Sequence, residues 1–99
     1  MSLLTTKEIY KVVYQAIDEH NNSLENDQEK LEKQKHQLLL GKGGAIDSLG
    51  FMCFIVSIEE KIKDLINIEI VILNEEELFK DDGAFYSIES LCDWIEKQL

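Results

Sequence analysis

Ser48 is the residue whose setting most favours chemistry. It follows Asp47 and the glycine-rich run 41–44, and it precedes a strongly apolar stretch. Ser and Asp often cap helix N-termini, because their side-chain oxygens accept hydrogen bonds from the first free N–H groups. On these two residues alone, a helix cap is the commoner interpretation. A serine that comes shortly after a glycine-rich turn is also expected to be accessible to a modifying enzyme.

Other reactive sites are less favoured by the sequence. Ser48 with His36 as a base would suggest a hydrolase, but no Gly-x-Ser-x-Gly elbow or oxyanion donor pattern accompanies them. The run 41–44 lacks the spacing of a phosphate-binding loop and indicates a turn. His20 and His36 have no Cys or carboxylate partners at ligand spacing, so we expect no metal site.

The two cysteines, Cys53 and Cys92, lie in apolar runs without a Cys-x-x-Cys motif. We expect both to be buried, reduced thiols in a reducing compartment. No signal peptide is visible, and the longest apolar run, 51–56, is too short to span a bilayer. These features predict a cytoplasmic protein.

The chain has 99 residues, enough for one domain (1–99) with one modest core. Twenty Asp and Glu against ten Lys give a net charge of −10. Such a surface repels nucleic acid and anionic lipid, and it attracts a partner that carries a basic patch. Solubility alone is the other explanation for this acidity.

Both ends of the chain predict amphipathic helices. Thr5 and Glu8 have the spacing of a capping box, and Ser87 is a plausible N-cap for the last helix. Apolar residues then recur at helical spacing, at Ile9, Val12, Val13, Ala16 and Ile17 in the first helix, and at Ile88, Leu91, Cys92, Ile95 and Leu99 in the last.

The central helix is predicted from Ser48 to about Asp64. Its segment 49–58 is almost entirely apolar, which is more than a core-facing stripe requires. One side must face the core, so we expect the other side to be an exposed apolar patch, which usually marks a binding surface.

The connections are long. Residues 21–40 form a variable polar loop, and we expect Leu24 to Gln37 to be solvated and to contribute no core element. Residues 66–73 alternate like a strand but have no evident partner strand, so we expect an extended loop whose Ile side chains plug the core. Residues 75–79 favour a short helix. The predicted fold is all-α: a bundle of three main helices plus a short helix, with long loops.

The segment from Gly41 onward resembles the acyl carrier protein family. Members carry Asp-Ser-Leu at the start of an apolar helix, as residues 46–49 do here with Ile-Asp-Ser-Leu. Ile-Glu-Glu at 58–60 is similar to the Leu-Glu-Glu of carriers, and Asp-Trp-Ile at 93–95 is similar to their Asp-Tyr-Ile. The resemblance covers most of the chain and is weakest over 21–37. It implies an acyl-carrier-like bundle.

The resemblance implies that Ser48 carries a covalent 4'-phosphopantetheine arm. The arm's thiol would hold acyl or aminoacyl cargo as a thioester, while partner enzymes perform the chemistry, so the chain itself is not an enzyme. The expected partners are a phosphopantetheinyl transferase, a loading ligase and a downstream synthase or transferase acting on a monomer. A helix N-terminus also suits the negative charge of a phosphodiester.

Further roles follow from the resemblance. The residues expected around the arm are Asp47 and Leu49. The expected partner surface comprises Met52, Val56, Glu59 and Glu60, together with Asp47. The residues expected to line the core or a cargo pocket are Phe54, Ile55, Ile58 and Ile62.

Two positions depart from fatty-acid carriers, which often have acidic residues where this chain has Gly50 and Cys53. In this respect the chain resembles D-alanyl carriers and other dedicated carriers, which have a glycine at the position of Gly50. A dedicated pathway is therefore expected. The cargo can be aminoacyl, aryl or fatty-acyl. The alternative is an unmodified helical adaptor that binds one partner through the apolar face of the central helix.

Overall fold

A computed structural model describes residues 3–22, 30–39, 48–72 and 85–99. The helices in these ranges are α1 (Thr6–Asn22), α2 (Ser48–Ile66) and α3 (Ile88–Gln98). The same ranges contain no strand, only an isolated antiparallel bridge between Leu38 and Ser87. The all-α fold class is therefore confirmed. The short helix predicted over 75–79 lies outside the described residues.

The N-terminus of α1 has the predicted capping box. The backbone N–H of Glu8 donates to the Thr5 hydroxyl at 3.1 Å, and the Glu8 carboxylate accepts from the Thr5 N–H at 2.9 Å. These two bonds satisfy N–H groups that the helix itself leaves unpaired. They also hold the pKa of Glu8 below its ordinary value, mainly through the bond from the Thr5 backbone. The predicted apolar stripe is buried throughout, comprising Ile9, Val12, Val13, Ala16 and Ile17.

The α2 helix begins at Ser48, as predicted, and ends two residues later than expected, at Ile66. Asn67 then adopts a left-handed conformation with φ of 56°, and its N–H donates to the carbonyl of Lys63 at 2.8 Å. Asn tolerates this conformation better than most residues, and it commonly terminates helices in this way.

Ser87 caps α3, which confirms the sequence prediction. Its hydroxyl accepts from the N–H of Ser90 at 3.2 Å, and the Ser90 hydroxyl accepts from the Ser87 N–H at 3.0 Å. Ser90 thus performs the reciprocal role that Glu or Gln usually has in a capping box.

The core lies between α1 and its two neighbours, because α1 packs against both α2 and α3. Phe85 connects the other two helices: its ring centroid lies 5.1 Å from that of Phe51 on α2 and 6.4 Å from that of Trp94 on α3. The buried apolar residues outside α1 are Leu4, Leu31, Leu39, Phe51, Phe54, Ile55, Ile58, Ile62, Ile72, Phe85, Ile88, Leu91, Cys92 and Ile95.

Leu31 contradicts the expectation that the polar connection contributes no core element, since only 3% of it is exposed. The end of α1 holds it in place. The Asn21 side-chain amide donates to the Leu31 carbonyl at 2.7 Å and accepts from the Leu31 N–H at 2.8 Å. One amide therefore satisfies both backbone groups of a buried residue, which removes the desolvation penalty that they would otherwise carry.

The next part of this connection crosses the N-terminus of α3. The carbonyls of Lys35 and Gln37 accept from the N–H groups of Glu89 and Ile88, each at 2.9 Å. The N–H of Leu39 donates to the Tyr86 carbonyl at 2.8 Å. Loop carbonyls thus satisfy N–H groups that α3 cannot pair internally.

Residues 67–72 follow α2 without helix or strand, which agrees with the loop predicted over 66–73 except that Ile66 still belongs to α2. Ile72 is fully buried, and its backbone is fixed by two side chains. Its N–H donates to Glu59 Oε2 at 3.3 Å, and its carbonyl accepts from Trp94 Nε1 at 2.9 Å. Ile68 does not plug the core, because 44% of it is exposed.

Candidate functional site: the exposed face of α2

Ser48 is the first residue of α2. The first N–H groups of a helix have no intrahelical partner, and the helix dipole makes this end positive. The first turn of α2 contains no acidic residue that would neutralise it. Asp47 lies outside the described residues, so its predicted place beside Ser48 stays a prediction.

The inward face of α2 forms part of the core. The four residues predicted for the core or a cargo pocket are each at most 2% exposed, namely Phe54, Ile55, Ile58 and Ile62. Their core position is therefore confirmed. Their contact with cargo stays a prediction.

The opposite face of α2 is apolar and exposed. Leu49 is 73% exposed, Val56 is 51% exposed and Met52 is 44% exposed, and Cys53 lies among them. We call these four residues the outward patch. The expected exposed apolar side of α2 is thus confirmed, and it begins one residue after Ser48.

Cys53 contradicts the expectation of burial. It is two residues from both Phe51 and Ile55, which places it roughly 160° away from each around the helix axis. Because those two residues face the core, Cys53 points to solvent. Cys92 is buried, as expected, and burial raises the pKa of its thiol to about 12.

The outward patch continues into a groove of about 400 Å³ between α2 and the loop that follows it. Val56, Ile70 and Val71 line its apolar part, and Glu60 contributes an exposed carboxylate. The surface near Ser48 is therefore apolar, and the carboxylates of Glu59 and Glu60 follow about three turns further along α2.

Glu59 also lines this groove, but its environment differs from that of Glu60. It is partly buried, and its Oε2 accepts the hydrogen bond from the Ile72 N–H. Glu59 therefore positions the loop that forms the far wall of the groove. Sequence reasoning missed this contact, because it joins residues thirteen positions apart through a loop.

A smaller groove of about 180 Å³ lies between α1 and α2, beside Cys53. Glu19 organises its rim: it accepts from the Ser57 hydroxyl at 2.8 Å and pairs with Lys61 Nζ at 2.8 Å. The hydrogen bond from Lys61, followed by that from Ser57, holds the pKa of Glu19 below its ordinary value. No sequence pattern indicated this cluster, because Glu19 belongs to a polar helix end.

The described ranges contain no group of three or more His, Cys, Asp or Glu that could hold a metal ion. None of their helices combines the length and apolarity needed to cross a bilayer.

Comparison of the chain with family models, with curated proteins and with solved structures gave no match. Function is therefore inferred from the residues themselves and from the geometry of α2.

Proposed function

We propose that the chain is a carrier protein whose Ser48 hydroxyl bears a 4'-phosphopantetheine arm. The observation that carries the proposal is the run Asp47-Ser48-Leu49 at the start of a helix that exposes an apolar face. Its cargo is an acyl or aminoacyl group held as a thioester on the arm, in a dedicated biosynthetic pathway. The chain itself performs no catalytic step.

Electrostatics support Ser48 as the attachment point. A phosphodiester at this position is stabilised by the positive dipole end of α2. The first turn of α2 itself contains no acidic residue that would repel it. A modifying enzyme can also contact Leu49, whose side chain is 73% exposed beside Ser48.

The outward patch supports a partner surface on α2. Met52 and Val56 provide apolar contacts, and Glu60 adds a negative charge beyond them. This order fits partner enzymes that offer an apolar anchor flanked by a basic group. The partners are a phosphopantetheinyl transferase, a loading ligase and a downstream synthase or transferase.

The departures from fatty-acid carriers support a dedicated pathway. Cys53 is exposed at the centre of the outward patch, and Gly50 stands where many such carriers are acidic. The surface nearest the arm therefore favours apolar docking over recognition by many basic partners. A free, exposed thiol also fits a reducing compartment such as the cytoplasm.

An unmodified adaptor is the second candidate, and the same outward patch favours it, because an exposed apolar patch marks a binding surface whether or not Ser48 is modified. The two functions differ in what Ser48 does. A carrier loses all function as Ser48→Ala, whereas an adaptor loses at most a helix cap worth about 1 kcal/mol.

Intact mass after incubation with a promiscuous phosphopantetheinyl transferase and coenzyme A tests the proposal. We expect the wild type to gain one phosphopantetheine and Ser48→Ala to gain none. Ser57→Ala is the matched control, because Ser57 lies on the same helix and its hydroxyl is hydrogen-bonded to Glu19. Circular dichroism verifies that each variant folds.

Two outcomes would overturn the carrier assignment. A folded wild type that gains no mass beside an active control carrier would favour the adaptor. A gain that survives in Ser48→Ala would place the modification elsewhere.

A further inference from the structure

One face of α1 carries a third groove, of about 530 Å³, which we call the tyrosine groove. Tyr10 and Tyr14 both line it, with ring centroids 5.8 Å apart in an edge-to-face arrangement. Lys7 and Lys11 line one part of it, and Lys33 lies at the Asp18 end. The groove is formed by α1 and the 30–39 segment, so it does not include Ser48 or the outward patch.

Lysines cluster on the side of Tyr10 that faces α1 and the segment 30–39. Lys7 and Lys11 are exposed neighbours on α1, and Lys35 Nζ lies 5.6 Å from the centroid of the Tyr10 ring. With Lys33, four of the ten lysines of the chain lie in or beside this groove, although acidic residues outnumber lysines two to one overall. A small anion placed among these lysines therefore meets local positive charge, although the chain as a whole is negative.

The two ends of the groove differ in charge. At the far end, Lys33 pairs with Asp18 at 3.3 Å, which neutralises both. At the near end, burial raises the pKa of the Tyr10 hydroxyl to about 12, and Glu89 and Asp93 act in the same direction. These two carboxylates make the α3 edge negative, so an anionic group is favoured on the lysine side.

We propose that the tyrosine groove binds a small amphiphilic carboxylate, whose anionic head pairs with the lysines of the groove and whose apolar body lies on its two tyrosine rings. The volume falls within the range of about 300–1,000 Å³ that is common for small-molecule sites. Aromatic rings provide apolar area at little entropic cost, and the ammonium groups provide orientation. A nucleic acid or an acidic protein is disfavoured, because the net charge of −10 repels a polyanion more than a single charge.

Phenylbutyrate is the probe, and phenylbutanol is its neutral match. Unmodified protein is titrated with each while amide chemical shifts are followed by NMR. We expect phenylbutyrate to shift amides within 7–18 in a saturable way that weakens at higher ionic strength, and phenylbutanol to bind more weakly. A double variant, Lys7→Gln with Lys11→Gln, should weaken binding about fivefold or more, whereas Lys97→Gln on α3 should not change it.

Three results would overturn the proposal: no shift in α1 at millimolar probe, equal affinity for the alcohol, or unchanged affinity in the double lysine variant. The titration is repeated with Ser48→Ala, which must behave like the wild type. Since that variant cannot carry an arm on residue 48, the outcome is independent of the carrier proposal.

Discussion

The segment 30–39 and the outward face of α2 both differ from what their compositions suggest: the polar segment packs on the core, and the apolar face is exposed. The segment is rich in Lys, Gln and Glu, yet it buries Leu31 and Leu39 and its backbone is bonded to α1 and α3. The outward face of α2 is apolar, yet Leu49 and Val56 are more than half exposed. A polar segment is thus tied to the core while an apolar surface is left in water.

The two regions therefore contribute differently to the stability of the fold. The segment 30–39 stabilises the fold, because its backbone satisfies the N-terminus of α3 and Asn21 satisfies Leu31. The outward patch contributes little to the core. Exposed apolar patches commonly mark a binding surface, which is the role proposed for this one.

The largest effect is expected where the two faces of α2 are compared directly. Ile55→Ala should lower the free energy of unfolding by about 2–5 kcal/mol, because Ile55 is 1% exposed and its loss leaves a cavity. The adjacent change Val56→Ala should alter it by less than about 0.5 kcal/mol, since Val56 faces solvent and Ala favours helix. Urea denaturation followed by circular dichroism measures both. Equal losses would contradict the assignment of the two faces.

The two thiols test the same contrast without changing a core residue. Cys53 should react at once with a bulky aromatic disulfide reagent at pH 8. Cys92 should react at least about a hundredfold more slowly, because its reaction requires a local opening of the core that costs roughly 3 kcal/mol. Its pKa of about 12 adds to this protection. Cys53→Ser should abolish the fast phase, and a fast phase that persists would show that Cys92 on α3 is accessible. A wild type without a fast phase would show that Cys53 is buried and that α2 is rotated about its axis.

The two hydrogen bonds between Asn21 and the Leu31 backbone allow a test of how the segment 30–39 is held. Asn21→Ala leaves the backbone groups of Leu31 without their partners and should cost about 1–3 kcal/mol. Asn22→Ala is the matched control, because Asn22 is exposed at the same helix end. Chemical denaturation gives both values. If the two variants lose the same stability, the segment 30–39 is not held through Asn21.

The smallest effect is expected at the rim of the groove beside Cys53. Glu19→Gln removes the charge that pairs with Lys61 and should cost about 0.2–1 kcal/mol at pH 7. Because the folded-state pKa of Glu19 is lowered, its contribution is present above the unfolded value of 4.5 and is lost as pH falls below it. The difference between wild type and variant should therefore vanish in acid. A difference that is constant from pH 7 to pH 3 would show that charge is not its source.

The helix boundaries were predictable because their signals are local. The Thr5–Glu8 capping box and the Ser87 cap involve residues three positions apart, and apolar spacing placed the buried stripe of α1. The start of α2 at Ser48 followed from the change from glycine-rich to apolar sequence.

Three predictions were wrong, and two of them, on Leu31 and Cys53, show the limits of local sequence patterns. The burial of Leu31 depends on an amide ten residues away, which no local pattern reveals. The exposure of Cys53 depends on the rotation of α2, and an almost uniformly apolar segment leaves that rotation undetermined. The site was predictable as a helix with an exposed apolar side, and the resemblance correctly indicated Met52 and Val56 on that side, whereas Cys53 was expected to be buried.

Peptide mapping of the protein purified from cells that produce it naturally tests the central claim most directly. Ser48 is proposed to bear the arm in the cell, so the measurement is the mass of the proteolytic peptide that contains it. The account predicts that a fraction of this peptide carries one 4'-phosphopantetheine on Ser48, with or without cargo. A peptide that is unmodified in every preparation, including cells with ample coenzyme A and an active transferase, would contradict the account.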